Sequence, residues 1–270
     1  MKKIVTLLFI FASFICSAEV KTVNIGEFDL AYEIAGQGDH IVLLEAGMGQ
    51  SLSTWDPIYN DLSKLVTVIR YSRVGLGRST QLRRQFPVET SVQHLNTLLN
   101  ALDIESPVIL LSHSFGGIIS RKFAATYPEK VKAMLLLDPT SEHDLNIMRK
   151  IDLTQAIKEI SIMKTMWIEN GLDNSYLESW SKRPMPNYPE IKDIPVVVIA
   201  TVRKLSNPPM LLLTDKGRKL MGEWHKTWAE NFPQGRAILT KNSGHNIHYD
   251  EPKLVVNEFT QLLNVLNEKR

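Results

Sequence analysis

The sequence predicts an α/β fold in which a mostly parallel central sheet is flanked by helices. Short, uniformly apolar runs alternate with amphipathic stretches along the chain, a pattern typical of parallel strands joined by crossover helices. The chain has 270 residues, of which 44% are hydrophobic, so it can bury a large core. No internal repeat, low-complexity tract or linker interrupts this pattern, and we expect one domain over residues 19–270.

The N-terminal segment is expected to be a cleaved secretion signal. Lys2 and Lys3 precede an apolar run at 4–15, which is too short for a comfortable membrane span. Small residues follow and predict cleavage after Ala18, which would make the mature protein periplasmic or secreted. One alternative is a lipoprotein anchor at Cys16, but the residue before it is bulkier than such a signal prefers. An uncleaved N-terminal anchor is the other alternative.

Removal of residues 1–18 would change the chemistry open to the mature chain. Cys16 is the only cysteine, so no disulfide and no thiol chemistry would remain. The signal also removes two lysines, which lowers Lys plus Arg from 31 to 29 against 29 Asp plus Glu. A formal net charge of zero does not favour nucleic acid or stable membrane association, and we expect a small-molecule substrate.

The strands can be assigned in chain order. Residues 23–36 alternate between apolar and polar around Gly26, which predicts an antiparallel hairpin at the sheet edge. Six apolar runs then predict buried strands: HIVLLEA (40–46), VTVIRYS (66–72), PVILLS (107–112), KAMLLLD (132–138), PVVVIAT (195–201) and RAILTK (236–241).

Helices are expected between the strands. Two sets of apolar residues recur at helical spacing and should face the sheet: Val92, Leu95, Leu98, Leu99 and Leu102, and Val255, Phe259, Leu262, Leu263 and Leu266. Residues 139–193 are too long for a plain crossover and too apolar for a disordered loop. They predict a helical cap, inserted after the sixth strand and lying over the strand ends.

Ligands of parallel sheets bind beyond the carboxyl ends of the strands, so the residues there are the candidates for chemistry. In "LLSHSFGG", Ser114 stands between a strand and a helix. Such a tight turn strains the serine backbone and directs its hydroxyl out of the sheet. Gly116 is small, as close packing requires, and Ser112 is a small residue where glycine is usual. The alternative is a plain strand-to-helix turn with a capping serine.

A nucleophilic serine needs a base. His245 follows the last strand and Gly244, and is the candidate; His248 is the nearby alternative. His113 lies inside the serine turn and should point away from it. The other four histidines have no special setting, and each is expected at the surface in preference to a catalytic role: His40, His94, His143 and His225.

The base needs an orienting carboxylate. The usual place is the end of the strand before the histidine, but residues 194–214 contain no Asp or Glu. Asp138, at the tip of "AMLLLD", is the best replacement. Glu142, Asp144 and Asp215 remain alternatives, and Asp138 could instead be a turn residue before a proline.

Acyl chemistry also needs donors for an oxyanion. In "AGMG", after the first parallel strand, the backbone can turn inward and present the Met48 amide. The Phe115 amide, at the start of the helix after the serine, is the second candidate. Gly47 and Gly49 are expected to allow close approach of the chain.

These sites, taken in chain order, resemble the α/β-hydrolase superfamily over roughly residues 22–268. The order Ser114, Asp138, His245 is the nucleophile–acid–base order of that family. "YSRVGLGRS" is similar to its Asp-x-Arg-Gly-x-Gly-x-Ser segment, with Ser72 in place of Asp and Val74 ahead of Gly75. "GHNIHYDEP" is similar to its terminal histidine loop. The resemblance therefore implies the α/β-hydrolase fold.

The resemblance also implies an activity. Dehalogenases and epoxide hydrolases of the superfamily use an Asp nucleophile, and Ser114 argues against both; some members carry the acid at the position that matches Asp138. We expect a secreted or periplasmic carboxylesterase that cleaves small or medium apolar acyl esters through a Ser-His-Asp triad and an acyl-enzyme. No His, Cys or carboxylate cluster has ligand spacing, so no metal or organic cofactor is expected.

Two alternatives remain open. A proline iminopeptidase-like aminopeptidase would need cap carboxylates to hold a substrate ammonium, and five are present: Glu142, Asp144, Glu159, Glu169 and Asp173. A non-catalytic binding protein on a hydrolase scaffold would have no need to keep both Ser114 and His245.

Overall fold

The computed structural model of the chain describes residues 19–82, 86–141, 143–169, 190–191 and 193–268. The predicted signal peptide, its cleavage site and the alternative anchor at Cys16 lie outside these residues. Within the described ranges, no helix is both long and apolar enough to cross a membrane.

The core of the molecule is an eight-stranded sheet. Its strands are β1 Lys21–Asn24, β2 Asp29–Ala35, β3 Ile41–Glu45, β4 Thr67–Tyr71, β5 Val108–His113, β6 Val131–Leu137, β7 Val196–Thr201 and β8 Arg236–Thr240. Their order is β1-β2-β4-β3-β5-β6-β7-β8. Strand β2 pairs antiparallel with β1 and β4, and all other pairs are parallel. The predicted edge hairpin and the six predicted strands are confirmed.

Helices cover both faces of the sheet. They are α1 Asp56–Ser63, α2 Val88–Ala101, α3 Gly116–Thr126, α4 Asp144–Ile151, α5 Leu153–Glu169, α6 Asp215–Ala229, α7 Ile247–Asp250 and α8 Pro252–Asn267. Leu95 of α2 and Phe123 of α3 pack on one face, and Ile58 of α1 and Phe259 of α8 pack on the other. The two helices predicted from apolar spacing are confirmed as α2 and α8, because their apolar stripes are buried against the sheet.

The predicted cap region contains helices α4 and α5, which lie between β6 and β7. They pack in a separate apolar cluster that includes Leu145, Ile147, Met148, Ala156, Ile160, Leu212 and Met221. Leu212 and Met221 come from after β7, so the chain beyond the predicted cap also supports these helices. Residues 142, 170–189 and 192 of the predicted cap lie outside the described residues, and a cap over the strand ends stays a prediction.

The turn from β5 into α3 explains why a serine can replace the usual glycine at position 112. The Ser112 side chain is fully buried, and its Oγ lies 2.5 Å from Oγ of Ser120 on α3. The position that requires glycine is 116, where a Cβ would lie 2.3 Å from the Glu45 carbonyl oxygen. Close packing of α3 against the end of β3 therefore depends on Gly116, while Ser112 adds a buried hydrogen bond.

The Ser112–Ser120 contact can be measured by a double-mutant cycle. Ser112→Ala deprives a buried hydroxyl of its partner, so we expect the free energy of unfolding to fall by about 1–2 kcal/mol. Ser112→Ala/Ser120→Ala removes both hydroxyls and should cost less than the sum of the single changes, by about 0.5–1.5 kcal/mol. Urea unfolding measures these values, with the exposed Ser53→Ala as the control. Strictly additive single effects would show that the two hydroxyls do not interact.

Candidate active site

Ser114, His245 and Asp138 form one hydrogen-bonded chain. The Nε2 atom of His245 lies 2.9 Å from Ser114 Oγ, and its Nδ1 lies 2.6 Å from Asp138 Oδ2. Ser114 follows β5, Asp138 follows β6 and His245 lies between β8 and α7, so all three meet at the carboxyl ends of the strands. In this arrangement Nδ1–H donates to the carboxylate, and Nε2 can accept the hydroxyl proton.

Two members of this chain have strained backbones. Ser114 has φ of +52° and Asp138 has φ of +38°, in the left-handed region that non-glycine residues rarely occupy. Backbone hydrogen bonds hold both turns: the Ser114 N–H donates to Leu137 O, the Asp138 N–H to Ile199 O, and the Thr140 N–H to Ser114 O. The two turns are thus tied directly to each other, which maintains the strain.

Asp138 is buried, and it has hydrogen-bond partners in addition to the predicted base His245. Its Oδ1 accepts the Thr201 N–H at 3.0 Å, and its Oδ2 accepts both from His245 and from Arg218 Nη1, the latter at 3.2 Å. Burial alone would raise the pKa of Asp138, but the His245 contact, the Arg218 cation and the Thr201 amide together lower it to about 2. The carboxylate is therefore ionised at neutral pH.

Arg218 is not among the site residues predicted from the sequence. The residue lies on α6, whose buried face also carries Met221, Gly222 and His225. The sequence signal that could have identified it is an arginine at the helical spacing of the apolar face, because a buried charge requires a partner.

The other candidate carboxylates have different contacts. Asp144 Oδ2 accepts the Ser141 N–H at 3.0 Å, and Asp144 is buried. Asp215 is half-exposed at the start of α6 and pairs with Lys204 at 3.0 Å. Glu142 lies outside the described residues. Of the described candidates, Asp138 is the one that contacts His245.

Two histidines surround His245 without replacing it. His113 is buried and turned away from the serine, with Nδ1 2.9 Å from Gln50 Oε1 and Nε2 3.0 Å from the His245 carbonyl oxygen. His248 is fully buried, with Nε2 3.1 Å from Thr54 Oγ1. Burial lowers the pKa of His113 to about 3 and that of His248 to about 4, so both are neutral and support the His245 loop.

The expectation that the other histidines lie at the surface is wrong for two of them. His40 is buried, and its Nε2 lies 3.0 Å from Oδ1 of Asn267 on α8. His225 is buried on α6, and burial lowers its pKa to about 4. His94 and His143 are partly buried. Tertiary packing of α6 and α8, which local sequence does not reveal, causes both differences.

The predicted oxyanion loop is anchored by Arg73. This arginine donates to the Ala46 carbonyl at 2.7 Å and to the Gly47 carbonyl at 2.5 Å, and it forms an ion pair with Glu45 at the end of β3. Glu45 also accepts from the Tyr71 hydroxyl. Burial raises the pKa of Glu45, against the opposing charge of Arg73. The loop carbonyls are therefore held toward Arg73.

Met48 and Phe115 lie at the two expected positions. Met48 is in the turn after β3 and is partly exposed, and Phe115 directly precedes α3. Their roles as oxyanion donors stay predictions. A Cβ on Gly47 would lie 2.5 Å from Gln50 Oε1, so a larger residue here would have to displace the end of the Gln50 side chain. Gly49 instead has open space around it and φ of +67°, so its backbone angle, and not close approach, explains it.

Ser72 also has a structural explanation. It is fully buried, and its Oγ accepts the Leu52 N–H at 3.0 Å. A Cβ on Gly77 would lie 2.8 Å from that Oγ, so the space beside residue 72 is narrow. A small hydroxyl side chain fits where the family commonly has Asp.

In the part of the chain that the structure describes, no group of three or more His, Cys, Asp or Glu could hold a metal ion.

Comparisons with known proteins agree with this architecture. Residues 39–160 match the family described as alpha/beta hydrolase fold. The protein YqjL of Bacillus subtilis (strain 168) is 29% identical over 227 residues, which is 82% of each chain. The human serine hydrolase BPHL is 34% identical over 130 residues, which is 46% of this chain and 44% of the human protein, so the match spans less than half of that relative.

A solved structure gives the same fold. The thermophilic esterase from Thermogutta terrifontis superimposes with a TM-score of 0.60 over 92% of this chain and 98% of the esterase, at 20% identity. The sheet order, the strained serine turn, the matched family and the hydrolase relatives lead to one conclusion. The chain has the α/β-hydrolase fold.

Proposed function

We propose that this protein is a serine hydrolase, and specifically a carboxylesterase acting on small or medium apolar acyl esters. The observation that carries the proposal is the hydrogen-bonded chain from Ser114 Oγ through His245 to the ionised Asp138. Ser114 Oγ attacks the ester carbonyl while His245 Nε2 takes its proton. The imidazolium then returns the proton to the leaving alcohol, which leaves an acyl-enzyme that water hydrolyses with His245 again as base.

The oxyanion of this reaction would be held by the amides of Met48 and Phe115. The Arg73 bonds to the Ala46 and Gly47 carbonyls support this role, because they fix the loop before substrate arrives. Preorganised donors stabilise a developing charge without reorganisation at the moment of reaction. The apolar cap would supply the acyl pocket, and the N-terminal segment 1–18 supports a periplasmic or secreted location.

An ester substrate is favoured over the aminopeptidase alternative. That alternative needs unengaged cap carboxylates, but Asp144 accepts a backbone amide, and Glu159 accepts the Leu211 N–H at 2.9 Å. Glu169 is exposed at the end of α5, and Glu142 and Asp173 lie outside the described residues. The name of the Thermogutta structure, an esterase, also supports ester cleavage here.

The non-catalytic alternative is disfavoured by the strain of the site. A binding scaffold gains nothing from the left-handed backbone at Ser114 and Asp138, which costs of order 1–3 kcal/mol at each residue. An aligned Ser-His-Asp hydrogen-bond chain is what acyl transfer requires.

The nucleophile assignment can be tested with a fluorophosphonate probe. We expect stoichiometric labelling of the wild-type protein and no labelling of Ser114→Ala, because the probe reacts with activated serine hydroxyls. Intact mass spectrometry gives the stoichiometry. Ser53→Ala, which removes an exposed hydroxyl outside the site, should label like the wild type. A wild-type protein that does not react would support the non-catalytic alternative.

A substrate series separates the two enzyme alternatives. We expect kcat/KM for p-nitrophenyl esters to exceed that for prolyl-arylamides by at least about 100-fold, because ester leaving groups depart more readily and the cap carboxylates of Asp144 and Glu159 are engaged. The optimum over acyl chain length then reports the size of the acyl pocket. A preference for prolyl-arylamides would instead establish the aminopeptidase.

The acid can be identified by matched carboxamide variants. Asp138→Asn should lower kcat by about 10⁴-fold, because the amide favours the wrong imidazole tautomer. Asp215→Asn removes an exposed carboxylate that was an alternative candidate for the acid, and it should leave kcat within about twofold. Circular dichroism verifies that both variants fold. Near-normal kcat in Asp138→Asn would move the acid to another residue.

A further inference from the structure

Arg218 contacts the oxygen of Asp138 that also receives His245. Its Nη1 lies 3.2 Å from Asp138 Oδ2, and His245 Nδ1 lies 2.6 Å from the same atom. The side chain of Arg218 is 7% exposed, so the cation is shielded from solvent. Because both donors share one oxygen, the guanidinium and the imidazole are within about 6 Å of each other.

This contact changes the electrostatics of a Ser-His-Asp arrangement. Asp138 favours the protonated form of His245, whereas a fixed cation at this distance opposes it. Two like charges about 6 Å apart repel each other more strongly in a protein interior than in water, because the effective dielectric constant is lower there. Arg218 therefore offsets part of the effect of the carboxylate on the base.

We propose that Arg218 is a positioning residue that keeps Asp138 ionised and opposes protonation of His245, so that the site stays active in mildly acidic solution. This inference rests on the proposed function, because it assigns Arg218 to the same triad. Arg218 touches neither Ser114 nor a reacting atom in its described contacts, and it acts through the Oδ2 atom of Asp138.

The remaining groups that face Asp138 do not compensate for Arg218. His225, on α6, is buried, and burial lowers its pKa to about 4, so it is neutral above pH 5. Arg121, on α3, is buried, donates to the Thr140 carbonyl at 3.0 Å and adds a second positive charge near His225. Thr201, at the end of β7, contributes only its amide.

Two neutral histidines and one exposed carboxylate lie on the other side of His245. Burial lowers the pKa of His113 to about 3 and that of His248 to about 4. Asp250 is an exposed carboxylate on α7 whose Oδ2 accepts the Gly244 N–H at 2.6 Å, and its charge acts on His248. Neither histidine therefore places a charge beside His245 at neutral pH.

The alternative is that Arg218 acts only as a structural support for Asp138, called a brace here, and this alternative makes a different prediction. A brace would lower the rate at every pH when removed, without moving the pH at which the rate falls. The contact itself argues for an electrostatic role, since Arg218 Nε is buried and has no hydrogen-bond partner among the groups that the structure describes.

The test is the pH dependence of the second-order rate of fluorophosphonate labelling, from pH 4 to 9. In Arg218→Met, we expect the acid limb to move to higher pH by about 1 to 2 units. Labelling at pH 5 then falls about 10- to 100-fold, while the plateau above pH 8 stays within about threefold. Lys219→Met removes an exposed charge from the next position of the same helix and should leave the profile unchanged.

Two further variants guard against misfolding. Arg218→Gln is neutral but can still donate to Asp138 Oδ2, so it should move the limb like Arg218→Met and serves if that variant does not fold. Arg218→Lys keeps the charge and should restore most of the wild-type profile. If the neutral variants lower the labelling rate above pH 8 without moving the pH at which the rate falls, the inference is refuted. Arg218 then has only a structural role.

The outcomes separate this inference from the proposed function. Failure of the wild type to label refutes the proposed function. Labelling of the wild type with an unmoved limb in Arg218→Gln refutes only the role of Arg218. A titration of ¹⁵N-labelled histidines in the inactive Ser114→Ala background, with and without Arg218→Gln, gives the same shift without any turnover, and its absence would likewise overturn the inference.

Discussion

The hydrogen bond between His245 Nδ1 and Asp138 Oδ2 is the interaction on which the site depends, and the strand between their loops secures it. Asp138 follows β6 and His245 follows β8, so β7 lies between them. Thr201, at the end of β7, donates its N–H to Asp138 Oδ1 and its hydroxyl to the Ser243 carbonyl at 2.6 Å. One residue thus orients the carboxylate and fixes the histidine loop, although β7 supplies no acid of its own.

A second constraint is the close packing of three strand ends around the serine turn. Gly116 brings α3 against the Glu45 carbonyl, and buried Glu45 holds Arg73, which in turn holds the loop carbonyls of Ala46 and Gly47. The position of the predicted oxyanion loop is therefore coupled to the position of the nucleophile. Displacement of any one strand end would disturb both, which is why the chemistry sits on the sheet and not on a long loop.

Sequence predicted the features that depend on local pattern. Buried strands are apolar throughout, and the serine, the histidine and the acid each follow such a run, so their meeting at one edge could be expected. The choice among carboxylates needed the fold, because Asp138 and Asp144 are only six positions apart in the chain. Arg218 and Thr201 could not be assigned to the site, because their contacts depend on how α6 and β7 pack against residues far away in sequence.

Stability alone does not account for Arg218. Apolar residues of similar volume often replace a buried ion pair with no loss of stability or with a gain, because removing charges from water is costly. Here the cost is greater, since Arg218 Nε has no partner in the described part of the chain and Arg121 adds a second buried cation nearby. Asp138 would retain His245 and the Thr201 amide without the arginine. The charge of Arg218 is therefore better explained by what it does to the base than by what it adds to the fold.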